Sequence, residues 1–391
     1  MRERPLYILP AIIIAQFFCT SLWFAGNAVI SNLIVDYQLS EKDLGHIISA
    51  VQFGFISGTL SYALLNLADR FPPSRVFFLS AVFGALANFL IVIEGQSLTT
   101  ILSLRFLTGF FLAGIYPVGM KIAADYYEKG LGKALGFLVG ALVLGTAFPH
   151  LLKSIGGNLP WRMVIKGTSL LCLSGGFIIL GLVPDGPYRK AGKKLDLSAI
   201  YRIFKNPPFK KAAFGYFGHM WELYAFWVFV PVILTNYLKI HPEINLNIPL
   251  WSFLIIAIGG LACVIGGYIS EKKGVKKTAA TALLLSGICC LMSPLLLEQA
   301  SLWLLIIFLL FWGMVVIADS PLFSTLVAQS ASPEIKGTAL TIVNCIGFSI
   351  TIVSIQLLNS LINETNAHYI FVILFIGPLF GLLSLYRKSR S

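Results

Sequence analysis

Apolar residues in this chain neither alternate nor keep to one helical face. They run on in blocks of about 20 residues, the length an α-helix needs to cross a bilayer core. The blocks lie roughly at 6–30, 44–67, 76–94, 99–123, 134–156, 162–183, 209–238, 250–270, 278–297, 302–325, 338–361 and 367–386. This pattern predicts an all-α polytopic membrane protein with twelve spans, numbered here in chain order. Lys153, Arg162 and Lys166 crowd the turn shared by spans 5 and 6, which makes those two the least sharply bounded. The opening MRERP precedes an apolar run too long for a signal-peptide core, so it reads as the flank of a retained first span.

The longest polar stretch, residues 184–211, divides the twelve spans into two sets of six. The expected organisation is an N-terminal half over residues 1–183, a linker over 184–208 and a C-terminal half over 209–391. Residues 196–205 read either as a short amphipathic helix, stopped by Pro207 and Pro208, or as a solvated basic linker. The loop after span 2, NLADRFPPSR (66–75), and the loop after span 8, GYISEKKGVKK (267–277), share one design. In each, an acid is followed directly by a base, then a turn breaker, then further bases. Asp69 and Glu271 stand 202 positions apart, about half the chain, so the two halves read as a duplicated unit.

The chain is 57% hydrophobic and 12% charged, which excludes an ordinary soluble domain. Its net charge of +12 raises the possibility of a nucleic-acid partner, and the position of the charge removes it. Of the 29 Lys and Arg residues, 23 fall in segments on one side of the predicted membrane and four on the other, while acidic residues divide eight against seven. A bias in basic but not acidic residues is the positive-inside signature, so both termini are expected to be cytoplasmic. The six cysteines all fall within spans and form no disulfide framework.

With these loops and halves, the chain resembles a twelve-span major facilitator superfamily transporter over its whole length. The second loop fits that family's loop signature through Gly267, Glu271, Lys272, Gly274, Lys276 and Lys277. The first copy keeps Asp69, Arg70 and Arg75, with Leu65 and Pro72 in place of the glycines. In the family this loop latches the cytoplasmic side. Arg105 and Gly109 in span 4 resemble its Arg-x-x-x-Gly element, which implies a part in proton coupling. The antiporter signature of span 5 is matched only at Gly136 and Gly140, which favours uptake over export. SLWFAGNAV (21–29), NLADRFPP (66–73), AGIYPVGMKIAADYY (113–127), GHMWELYAFW (218–227) and ADSPLFSTLVA (318–328) are similar to a bacterial branch labelled nitrate/nitrite- or cyanate-type permeases. A nitrate carrier of that kind calls for one arginine in each of spans 2 and 8, and neither span here has any.

Ionisable side chains within spans are costly and mark functional positions by default. Glu222 lies roughly 20 Å along span 7 at about 1.5 Å per residue. A carboxyl in that setting can titrate near neutral pH, which makes Glu222 the candidate proton carrier. The alternative is a protonated carboxyl bonded to a neighbouring helix for packing. His219, one turn away, either shares that proton, donates to substrate, or is a neutral buried histidine. Asp319, ahead of Ser320 and Pro321 in span 10, is a second titrating candidate, and Arg105 either pairs with an acid or binds an anionic group. Lys121 and Asp125 form an i, i+4 pair expected to meet Arg70 or Arg75 at the cytoplasmic gate. Gln16, Trp23, Asn27, Tyr224, Trp227, His150 and Lys166 complete the candidate substrate-binding set, with Trp23 answering to the Trp221–Trp227 region of the second half. His-x-x-Glu supplies too few ligands for a metal, and no cofactor is expected.

The expected function is secondary active transport by alternating access in a bacterial inner membrane. It takes the form of proton-coupled symport of a small organic, anionic solute by a monomer. With no nucleotide-binding P-loop in the sequence, an ion gradient supplies the energy. A proton-coupled drug or metabolite exporter, a sodium-coupled variant, a channel and a membrane-embedded enzyme are the alternatives.

Overall fold

A computed structural model describes residues 5–40, 42–127, 131–155, 160–189, 201, 203–299, 301–332, 335–362 and 369–387. The stretch 196–205 therefore lies largely outside the described residues. The chain separates into two compact units, Met1–Lys194 and Leu195–Ser391. Ten helices are long and apolar enough to cross a membrane among the described residues, and the first and last spans are built from shorter apolar pieces.

In the first unit, span 1 comprises Ile8–Thr20 and Ala25–Ala28, continued by Ile30–Asp36. At its break, Leu22 N bonds Cys19 O and Trp23 N bonds Thr20 O, an i→i−3 pattern tighter than the α-helical ladder. Spans 2 and 3 are Asp43–Leu64 and Pro73–Leu90, joined through the short helix Leu67–Arg70. Span 4 is Leu98–Leu112 followed by Tyr116–Tyr126, span 5 is Leu131–Ile155 and span 6 is Trp161–Leu182.

The second unit opens with span 7, a continuous helix of 34 residues, Pro207–Ile240. Spans 8 and 9 are Ile248–Lys273 and Val275–Gln299. Span 10 is Leu302–Ala318 followed by Ser320–Ser330, span 11 is Lys336–Leu361, and span 12 begins as a 3₁₀ turn, Ile370–Phe375, and continues over Ile376–Tyr386.

The duplication is visible in backbone packing. Spans 2 and 4 lie against each other, as do spans 8 and 10. A Cβ on Gly109 would collide with the carbonyl of Val51, and one on Gly313 with the carbonyl of Ile255. Gly109 and Gly313 stand 204 positions apart, and so do Val51 and Ile255, so one close contact is made twice. Small residues permit such an approach, where the absence of a side chain lets two backbones touch. Spans 4 and 10 also break alike, each lower piece starting with proline in its first turn, Pro117 and Pro321. The same offset pairs Trp23 with Trp227, both fully buried.

Candidate functional site

In the first unit the buried chemistry gathers on the break in span 1. Arg105, 1% exposed, donates through one terminal nitrogen to Leu22 O at 3.1 Å and Asn88 Oδ1 at 3.1 Å, and through the other to Trp23 O at 2.5 Å. Asn88 in turn donates to Ile165 O, Thr168 and Ser169 of span 6. Arg105 thus holds the broken turn of span 1 through main-chain carbonyls, and among the described residues no acid is paired with it. Its planar fork suits two adjacent carbonyls, a geometry lysine cannot copy. Asn88, which completes this set, was detectable as an amide within a span. The break itself carries neither proline nor glycine at residues 21–24, so nothing in the sequence marked the carbonyls that Arg105 takes.

Around this tie, Trp23 packs on Phe55 with ring centroids 4.8 Å apart, and Asn27 is buried in the short helix after the break. Gln16 is fully buried on span 1 beside Gly119, and its amide has no hydrogen-bond partner among the described residues. The Gln52 amide, on span 2, is likewise buried and unpartnered; the sequence reading passed over it. His150 is buried with Nε2 unpartnered among the described residues, whereas Lys166 is exposed on span 6 and apart from the buried set.

The second unit collects its ionisable groups where span 7 meets span 10. His219 Nδ1 lies 2.8 Å from Asp319 Oδ1, and both side chains are 1% exposed. Asp319 stands at the N-cap position of the lower piece of span 10, without a side-chain capping bond, where a helix N-terminus favours negative charge. Among the described residues neither oxygen of the Asp319 carboxylate accepts a well-aligned hydrogen bond, and His219 Nε2 has no partner. The break beside it follows from Pro321, which has no N–H to offer Ile317 O four residues back. Cys263 of span 8 donates to that carbonyl at 3.5 Å.

Glu222, one turn further along span 7, points to spans 9 and 10. Its Oε1 accepts from Trp312 Nε1 at 2.6 Å and from Cys290 Sγ at 3.3 Å, and its Oε2 accepts from Ser286 Oγ at 2.7 Å. All four groups are buried. Ser286, Cys290 and Trp312 were not anticipated, because serine, cysteine and tryptophan inside a span read as packing residues. Beyond them, Tyr224 packs against Trp227 and Phe348, at 5.4 and 5.3 Å between ring centroids.

At the loop ends, Lys121 Nζ bridges Asp69 at 3.0 Å and Asp125 at 3.4 Å, so the acid of the first loop, rather than Arg70 or Arg75, meets this pair. Arg70 and Arg75 are exposed. Asn66 takes the left-handed conformation (φ 56°) at the first loop, and Gly274 (φ 85°) turns the chain at the second. Glu271, Lys272, Lys276 and Lys277 are exposed, with Lys276 over the ring of Tyr386 at 5.0 Å and Gly267 half-buried within span 8. The start of the linker folds back on the first unit. Tyr188 N bonds Asp125 O, and Arg189 donates to Asp69 O at 3.2 Å and Phe71 O at 2.9 Å while pairing with Asp185.

Residues 12–355 match the family model of the Major Facilitator Superfamily. The chain belongs to the Major Facilitator Superfamily. It is a multi-pass membrane transporter for small molecules rather than an enzyme. A bicyclomycin resistance protein homolog of Haemophilus influenzae is 22% identical over 378 residues, 91% of each chain. A niacin transporter of Acinetobacter baylyi is 29% identical over 161 residues, covering 35% of this chain and 36% of its own. The crystal structure of a bacterial homolog of the human lysosomal transporter Spinster superposes with a TM-score of 0.72 at 15% identity, covering 98% of both chains, and shares the fold.

Proposed function

We propose that this superfamily member is a proton-coupled symporter of a small organic solute, working as a monomer by alternating access in a bacterial inner membrane. Asp319, His219 and Glu222 carry the coupling proton. The observation that carries the reading is the His219–Asp319 contact of 2.8 Å, fully buried and set at the break in span 10. A proton arriving on Asp319 removes the carboxylate charge that faces His219, at the point where the helix is already interrupted. The carboxyl then meets His219 as a neutral group rather than an anion, so protonation and the contact between spans 7 and 10 are linked. Arg105 Nε and His150 Nε2, polar atoms without partners among the described residues, support a solute with acceptor groups such as a carboxylate.

The test uses purified protein in liposomes loaded with a pH-sensitive dye, after a metabolite panel has been ranked by thermal shift, since a ligand of the folded state raises its stability. Adding a ranked solute outside acidifies the lumen under symport. Saturable solute flux without any change in lumen pH overturns proton coupling. Export is the second reading, favoured by the resistance protein homolog that matches along 91% of both chains. In that case the same addition makes the lumen more alkaline.

A further inference from the structure

The three donors around Glu222 differ in what they can do when the carboxyl changes state. Trp312 Nε1–H only donates, and it reaches Oε1 whether or not Oε2 carries a proton. Cys290 Sγ–H is a weak donor to the same oxygen. Ser286 stands apart, because its hydroxyl has one proton and two acceptors within range. These are Glu222 Oε2 at 2.7 Å and Leu283 O, on its own helix, at 3.3 Å. A single hydroxyl proton serves only one of them at a time, while the hydroxyl oxygen keeps lone pairs free to accept.

We infer that Ser286 is a positioning residue whose hydroxyl turns between Glu222 and Leu283 O, so that Glu222 can take up and release a proton without displacing any helix. With Glu222 ionised, Ser286 O–H donates to Oε2. When a proton settles on Oε2, that new O–H donates to Ser286 Oγ, and the serine proton rotates to Leu283 O. Both states leave every polar group partnered, so neither incurs the penalty of an orphaned buried group. The titratable groups near Glu222 are His219 one turn down span 7, Cys289 and Cys290 on span 9, and Asp319 on span 10. Asp319 has no comparable rotor. Among the described residues its close partner is His219, so its protonation alters a contact between helices. Glu222 then serves as the silent proton store and Asp319 as the group whose titration is mechanical. This assignment rests on the proton-coupled reading above.

The experiment is infrared difference spectroscopy of the full-length protein in lipid, between acidic and alkaline buffer. A protonated carboxylic acid shows a C=O stretch that vanishes on ionisation, and Glu222→Gln removes the band that belongs to Glu222. In Ser286→Ala the protonated carboxyl loses its acceptor, and the band moves to higher frequency. Ser286→Thr restores it to the wild-type position. Should Ser286→Ala yield no folded protein, Ser286→Cys moves the band in the same direction by less, because a thiol is the weaker partner. A Glu222 band that stays in place in these variants, or no titrating Glu222 band in the wild type, overturns the inference. A shifting band in a protein that shows no solute-driven proton movement supports Ser286 and overturns the coupling reading instead.

Discussion

Spans 4 and 10 occupy equivalent places in the two halves, break at equivalent points and approach their partners through equivalent glycines, yet they are tied down by different chemistry. Positions 204 residues apart make the contrast explicit. Arg105 stands opposite Leu309, whereas His219, Glu222 and Asp319 stand opposite Ala15, Phe18 and Ile115. The first half fixes the break in span 1 with a permanent cation on backbone carbonyls, a contact with no accessible second protonation state. The second half leaves span 7 continuous and places titratable groups against the break in span 10. A duplicated scaffold has thus been given one rigid tie and one that protons can change. The difference lies in side chains rather than in backbone.

This contrast can be broken at several levels. Gly109→Val and Gly313→Val strike the shared scaffold and have the largest expected effect. Each forces a side chain into a backbone carbonyl, and neither variant should yield a monodisperse peak on size-exclusion chromatography. If only one of them is tolerated, the equivalence of the two helix pairs fails. Asp319→Asn should abolish pH-driven accumulation while leaving solute exchange between the two sides of a liposome intact. Retained accumulation would remove Asp319 from the coupling set.

Arg105→Met should lower unfolding stability without altering the pH profile of transport. Leaving a buried carbonyl unpartnered costs about 1–3 kcal/mol each, and Arg105→Lys should recover only part of the loss because it lacks the fork. A changed pH profile in either variant would place Arg105 in the coupling set. Smallest is Lys121→Ala. Its partly exposed pairs with Asp69 and Asp125 are each worth under about 1 kcal/mol, so thermal unfolding should move little and solute affinity not at all.

How far the sequence alone could reach follows the same division. The spans, the halves and the titratable candidates were legible because an apolar block of membrane length, and a charge inside one, have few physical explanations. The pairing of Trp23 with the span 7 tryptophans was readable from the repeat and corresponds to Trp227. The break in span 1 was not, since SLWF at 21–24 contains no helix breaker and the turn depends on Arg105 arriving from another helix. Partners such as Ser286 and Trp312 were hidden for a related reason. An ordinary residue becomes specific only through what folding brings beside it, here a carboxyl 64 or 90 positions away in the chain.

The six cysteines have a practical consequence. All are buried and none forms a disulfide, with Cys19, Cys172, Cys263, Cys289 and Cys290 at 2% exposure or less and Cys345 at 8%. Water-soluble maleimide reagents should therefore find little to label in the native protein. A single reporter cysteine at Ser330, at the far end of the lower piece of span 10, can then be read against a low background without first stripping the natural thiols, among them the Cys290 that touches Glu222.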